Sequence, residues 1–395
     1  MTVRVLKPLI FGFLVVAAGA AAKPAATPTL KQALGAQLRQ YLASRGSIEH
    51  ISAVSLSVSL RGKPTTIDVT AGRTMYRGGS SVTPENLFQI GSNTKSFTSA
   101  EVLQLEAEHK LTLDQTVGHW LPQYRQWKDV TIYRLLDMTS GIPTYDNMQP
   151  MERDYARTPR AYFSPQRLIA YVGPHAARKK GWYYSNTGYL LTQLIIERAA
   201  RNSYANEIRK RFIDGLGLRE TYYEPHLYPS EVQRRMVAGY FDSDDKDNAG
   251  LAPLLRKDVR RYSVSWAQAA GAIVSTPRDL IRWVRALFGG PMLPPQQRDE
   301  LLTIVSQKTG LPITATSSKE PRGFGLGVGE ATQQPIGTFW FYEGETLGYR
   351  MAFAYIPRAD AVIVVGVNSQ PRAKEDKIGM LITGIYKTLQ KYRAI

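Results

Sequence analysis

Strand-like patterning stands at both ends of this chain of 395 residues and almost vanishes in its middle, which limits the ways it can fold. Val54, Leu56, Val58 and Leu60 alternate with serines up to Arg61-Gly62-Lys63, the pattern of a hairpin entering a sheet. Later strands are predicted at Phe324–Val328, Phe339–Tyr342, Arg350–Tyr355 and Ala361–Val367, before a closing helix near 377–391. The span 110–265 reads as helix broken by loops, with helices over 131–138, 186–200 and 203–214 and an exposed acidic loop from Phe241 to Gly250. Leu30, Leu34, Leu38 and Leu42 form one stripe of a helix over 31–43, and Gly271–Pro277 leads into another over 278–287. Sheet faces need cover, so the early and late strands are expected to share one antiparallel sheet flanked by helices. The predicted class is α/β (of α+β type), with an α/β region from 31–110 and 266–395 and a mainly helical insertion over 111–265.

Composition narrows the possibilities. Hydrophobic residues make up 43% of the chain, enough for a large core in two packed regions. Cysteine is absent, which excludes a thiol nucleophile, a disulfide and a cysteine-ligated metal. His50, His109, His119, His175 and His226 show no close metal-ligand spacing and read as surface or helix-end residues. The net charge of +17, with basic runs at Arg178-Lys179-Lys180 and Arg256–Arg261, suits an anionic cell-envelope surface, although a solvated basic face is the plainer reading. No nucleic-acid module accompanies these runs. Arg4 and Lys7 precede an apolar run from Leu9 to Ala18 and small residues through Ala22. This predicts a signal peptide over 1–22, a leader over 23–30 and a periplasmic or secreted protein; an uncleaved segment would attach it to a membrane instead.

The chemistry centres on Ser92-Asn93-Thr94-Lys95, where a strand-like segment gives way to a helix free of Gly and Pro to Glu108. At i,i+3 serine and lysine share a helical face, and the helix N-terminus adds a positive field. A hydroxyl needs a base to act as a nucleophile, and a desolvated neutral lysine can be that base. Ser243-Asp-Asp-Lys246 fits the same bare pattern but lies in a charged loop without an apolar scaffold.

The pattern gains meaning from an ordered series: Thr83–Phe88, Gly91–Phe97, Leu111-Thr-Leu-Asp114, Leu135–Gly141, Tyr184-Ser-Asn186, Gly271–Asp279 and Glu343–Tyr349. Over about 50–385 it resembles the serine beta-lactamase and penicillin-binding-protein superfamily, in its class-C-like branch of D,D-peptidases, D-aminopeptidases and esterases. That resemblance implies a beta-lactamase-like fold with Ser92 as the acylated nucleophile and Lys95 as proton acceptor. It implies that Tyr184 shares the nucleophile's proton and protonates the leaving group, while Asn186 holds Lys95 and the substrate's acyl-side amide. Tyr145-Asp146-Asn147 also fits Tyr-x-Asn, but after its Thr-Ser-Gly-Ile-Pro turn it reads as the cleft entrance. No metal or organic cofactor is implied.

The third element departs from the family pattern of Lys-Thr-Gly or His-x-Gly. A literal Lys308-Thr309-Gly310 precedes the Gly323–Gly327 segment and continues into Leu311-Pro312, which does not suit an edge strand. Tyr342-Glu343-Gly344 takes the matching place, with Gly344 permitting close approach and Ser92 and Glu345 N–H groups forming the oxyanion hole. Tyr342 would position substrate. If Glu343 or Glu345 faces the cleft, it disfavours a free carboxylate and attracts an amine; strand alternation would instead turn both toward solvent. The expected function is a serine hydrolase acting on a small ester, amide or peptide. D-alanyl-D-alanine carboxypeptidase, beta-lactamase and a non-catalytic wall-peptide or protein binder are the alternatives.

Overall fold

The computed structural model describes residues 28–395, so the expected signal peptide over 1–22 and most of the leader over 23–30 lie outside the described residues. Among the described residues, no helix is long and apolar enough to cross a membrane.

Helix α1 (Leu30–Arg45) opens the fold, capped by Thr29, whose side chain accepts from Gln32 N–H. Strands β1 (Ala53–Ser59), β2 (Ile67–Met75) and β3 (Gly78–Ser81) follow. Helix α2 (Thr94–Ala107), helix α3 (Asn186–Ala200) and helix α4 (Pro277–Gly289) come next, with shorter helices and loops between them. The late strands are β4 (Ile304–Ser306), β5 (Pro312–Ile313), β6 (Arg322–Phe324), β7 (Gly329–Gln333), β8 (Gly337–Thr346), β9 (Tyr349–Ile356) and β10 (Ala361–Val367). Helix α5 (Ile378–Lys391) ends the chain. These ten strands form one sheet in the order β3-β2-β1-β10-β9-β8-β7-β6-β4-β5. Early and late strands meet where β1 runs antiparallel to β10, with Val54 opposite Val367 and Ser59 opposite Val362.

The sheet separates two cores. Val54, Leu56 and Val58 of β1, with Ile363 and Val365 of β10, pack against Leu34 and Leu38 of α1 and Leu381 and Ile385 of α5. Val362 and Val364 join the larger core on the opposite face, which includes Leu280, Trp283 and Val284 of α4 and the apolar side of α3. Burying a leucine fully contributes about 1.5–3 kcal/mol, so the leucine stripe of α1 holds that helix to the sheet. Every residue of β1 is buried, its serines included. Ser57 donates to Asp68 at 2.6 Å, and Ser59 accepts from Arg285 Nε at 3.1 Å.

Two predicted elements differ. The Phe324–Val328 strand divides, because Gly325 N–H donates to Val328 O at 2.8 Å and Gly327 has φ +78°, making a turn between β6 and β7. The Phe241–Gly250 loop is partly built into the fold: Tyr240–Asp242 pairs in parallel with Ser369–Pro371, and Phe241 is fully buried. Its acidity reflects ion pairing, since Asp242 meets Arg256 and Asp244 meets Arg372.

Candidate active site

Ser92 sits on a 3-10 turn, Gly91–Asn93, that runs directly into α2. Gly91 has φ +52°, and a Cβ there would lie 2.4 Å from Glu345 N. A side chain is therefore excluded twice, by backbone conformation and by the approach of β8. Asn93 is fully buried and its Nδ2 donates to Ile90 O and Met351 O, both at 2.7 Å, tying the turn to β9. Below it, Ser96 accepts from Trp283 Nε1 at 2.8 Å, and Phe97 stacks on Trp283 with ring centroids 3.6 Å apart. The serine turn thus rests on packed side chains on two sides.

Lys95 is completely buried. Its Nζ donates to Ser92 Oγ at 3.0 Å and to Ala270 O at 2.7 Å. Burial lowers its pKa to about 7, against the opposing pull of the Asp146 carboxylate. The amine is therefore available as a base near neutral pH. Tyr184 meets Ser92 Oγ at 2.6 Å from the other side, and burial raises its pKa, keeping the phenol protonated. Ser185, between Tyr184 and Asn186, caps α3 by accepting from Gly188 N–H at 3.3 Å. The helix start therefore aims the tyrosine at the serine.

Asn186 requires a correction. It does not hold Lys95: its Nδ2 donates to Asp146 at 2.6 Å, and its Oδ1 is buried without a partner. Thr144 also donates to Asp146, and its Oγ1 accepts from Asn186 N–H at 3.0 Å. Asp146, read from the sequence as part of a cleft entrance, also acts by its charge on the buried lysine, opposing the fall in its pKa. The adjacent Tyr145 is fully buried and donates to Trp266 O. The repeated Tyr-x-Asn signal is visible in the sequence, but the contact joins chain segments 40 residues apart.

Strand β7 pairs with β8 only as far as Phe341, so on that side the segment from Tyr342 to Thr346 is an open edge. The same segment runs against the serine turn. A Cβ on Gly344 would lie 1.9 Å from Ile90 O and 2.7 Å from Ser92 N. The backbones of Ser92 and Glu345 are accordingly brought together, as the expected pair of oxyanion donors requires. Tyr342 belongs to the core on the serine's side; its buried hydroxyl lies near Tyr184 without a well-formed hydrogen bond. Alternation turns Glu343 and Glu345 to the other face. Glu345 is exposed, whereas Glu343 is partly buried beside Asp376, and burial followed by that neighbour raises its carboxyl well above the ordinary range. Lys308-Thr309-Gly310 forms the turn between β4 and β5, and Gly310 packs against the backbone of Gly181 and Trp182.

A serine hydroxyl hydrogen-bonded to both a buried lysine and a partly buried tyrosine thus lies beside an open strand edge. The chain belongs to the Beta-lactamase family, whose family model matches residues 38–383. It is 26% identical over 300 residues to penicillin-binding protein 4* of Bacillus subtilis, covering 74% of this chain and 63% of that protein. It is 24% identical over 265 residues to protein flp of Staphylococcus aureus, covering 65% of this chain and 46% of that protein. The chain thus spans less than two thirds of the length of these relatives. Among solved structures, D-amino acid amidase from Ochrobactrum anthropi matches with a TM-score of 0.76 at 23% identity, covering 92% of this chain and 99% of that one. D-stereospecific amidohydrolase from Streptomyces matches with a TM-score of 0.74 at 24% identity, covering 89% and 98%. These likenesses establish the fold.

Proposed function

We propose that this protein is a serine hydrolase that cleaves a small amide, ester or peptide through an acyl-enzyme on Ser92. The observation that carries the reading is the placement of Ser92 Oγ 3.0 Å from a wholly buried lysine amine and 2.6 Å from the Tyr184 hydroxyl. Neutral Lys95 accepts the serine proton as Oγ bonds to the substrate carbonyl carbon. The carbonyl oxygen takes up negative charge facing the Ser92 and Glu345 N–H groups. Collapse breaks the bond to the leaving nitrogen or oxygen, which receives the proton through Tyr184. Water then attacks the acyl-enzyme by the same proton route and frees Ser92.

Asp146 supports a finer reading, in which the acyl side of the substrate carries an amine. Its carboxylate has hydroxyl and amide donors but no salt bridge among the described residues, and it lies beside the site. An ammonium there would supply the missing opposite charge. Two proteins that share the fold are named as a D-amino acid amidase and a D-stereospecific amidohydrolase, in keeping with such a substrate. Export to the periplasm or medium is part of the proposal, resting on the basic-then-apolar start of the chain.

A fluorophosphonate probe and a matched set of amino-acid amides and esters, with free and acetylated amines, test both readings. Labelling is expected on Ser92 and absent in Ser92→Ala, with faster turnover of free amines. Folded protein that neither labels nor turns over any activated ester would remove the hydrolase reading, and preference for acetylated substrates would remove the amine.

A further inference from the structure

Gln268 is only 1% exposed, has φ +41° and opens the short helical turn Gln268–Gly271. A side chain at positive φ is strained where glycine would be free, and such strain persists only when the surroundings fix it. The surroundings here grip the side-chain amide. Its Nε2 donates to Phe163 O at 2.8 Å, and its Oε1 accepts longer contacts from the Tyr223 hydroxyl at 3.4 Å and Gln193 Nε2 at 3.5 Å. Gln193 lies buried on α3, and its own Oε1 accepts from Ala269 N–H at 3.2 Å. From α2, Thr98 donates to Ala269 O at 2.7 Å. The next carbonyl along, Ala270 O, is the one that accepts from Lys95 Nζ.

We infer that Gln268 is a positioning residue for the proton transfer: its clamped amide holds the turn that presents Ala270 O to Lys95, and this carbonyl directs the amine's lone pair at Ser92 Oγ. The inference rests on the Ser92 hydrolase reading. With one N–H of the neutral amine committed to Ala270 O, the lone pair is left to the serine. A carbonyl acceptor also favours the ammonium through a charge-assisted hydrogen bond. Moving it away therefore misaims the base and makes its proton easier to lose. Helix α3 then sets both proton-handling groups: its start aims Tyr184, and Gln193, two turns on, anchors the carbonyl that aims Lys95. Besides Ser92, the groups acting on Lys95 are the Asp146 carboxylate and the Tyr184 and Tyr189 rings, none of them on the turn.

The test follows labelling of Ser92 by a fluorophosphonate from pH 5 to 9 in wild type, Gln268→Met, Gln268→Gly and Gln193→Met. Methionine keeps the length of glutamine without its hydrogen bonds, and glycine accepts the positive φ without the tether. The maximal labelling rate should fall in all three, by about 10²-fold in Gln268→Met, with the half-saturating probe concentration unchanged. The rising limb of the pH profile should move to lower pH. A side chain that only fills space would act oppositely, since loosening admits water to Lys95, favours its ammonium and moves the limb upward. An upward move, or a Gln268→Gly variant that labels like wild type, overturns the inference while labelling of wild type upholds the Ser92 reading. Absence of labelling in wild type removes both. If near-UV circular dichroism shows Gln268→Met unfolded, Gln268→Gly and Gln193→Met decide by the same two readouts.

Discussion

Lys95 and Arg350 are both basic side chains with no exposed surface, yet their surroundings differ completely. Arg350 donates to Glu49 at 2.7 Å and to Ser369 O at 2.8 Å, and it also pairs with Asp376. Lys95 has a serine hydroxyl, a backbone carbonyl and two aromatic rings, with Asp146 acting only from a distance. Burial is common to both; the carboxylates are not. Where they are supplied, the charge stays and the group ties chain segments together. Where they are withheld, the proton becomes easy to lose and the group becomes a base.

The largest effect should come from Lys95→Met, which keeps the volume and removes the base. A loss of about 10²–10⁴ in kcat/KM is expected, with no loss of thermal stability. The unfolded lysine keeps its pKa of 10.5 while the folded one is lowered to about 7, so burial penalises folding most below pH 7 and least above pH 10.5. Any stabilisation in the variant should follow that order; strong destabilisation at pH 6 would mean that Lys95 is held as a charge. Arg350→Met should show the reverse, losing about 3–5 kcal/mol in urea unfolding because Asp376 loses its cation and Glu49 keeps only Arg45. An unchanged midpoint would break the contrast.

Smaller effects sharpen it. In wild type, kcat/KM should rise as pH increases through about 7, as Lys95 loses its proton. A flat profile from pH 5 to 9 would assign the base elsewhere. Asp146→Asn removes the carboxylate that raises the lysine's pKa, so the rising limb should move to lower pH; a move upward would show that Asp146 acts chiefly through Asn186.

Local signals are the legible ones. Ser92 and Lys95 are three residues apart, and the alternation of Val54, Leu56 and Val58 marks one face of a strand without help from the rest of the fold. What stays hidden depends on distant pairings. Asn186 reads as a partner for Lys95, but its amide goes to Asp146, 40 residues earlier. Arg350 is one more residue of a predicted strand until Glu49 and Asp376 arrive from opposite ends of the chain. Alternation fixes that Glu343 and Glu345 share a face, but which face depends on how β8 docks against the serine turn. Phe241 reads as loop because of its acidic neighbours, whose charges are matched by arginines far along the sequence.

The pairing of β1 with β10 bears on how the molecule is made. Val54 waits for Val367 before its strand has both neighbours, and the turn holding Ser92 leans on Gly344 and Met351. Contacts of such long sequence separation form slowly and only after the loop between them closes. A growing chain therefore carries Ser92 long before the turn that holds it has its partners, and the site is assembled only when the last strands dock.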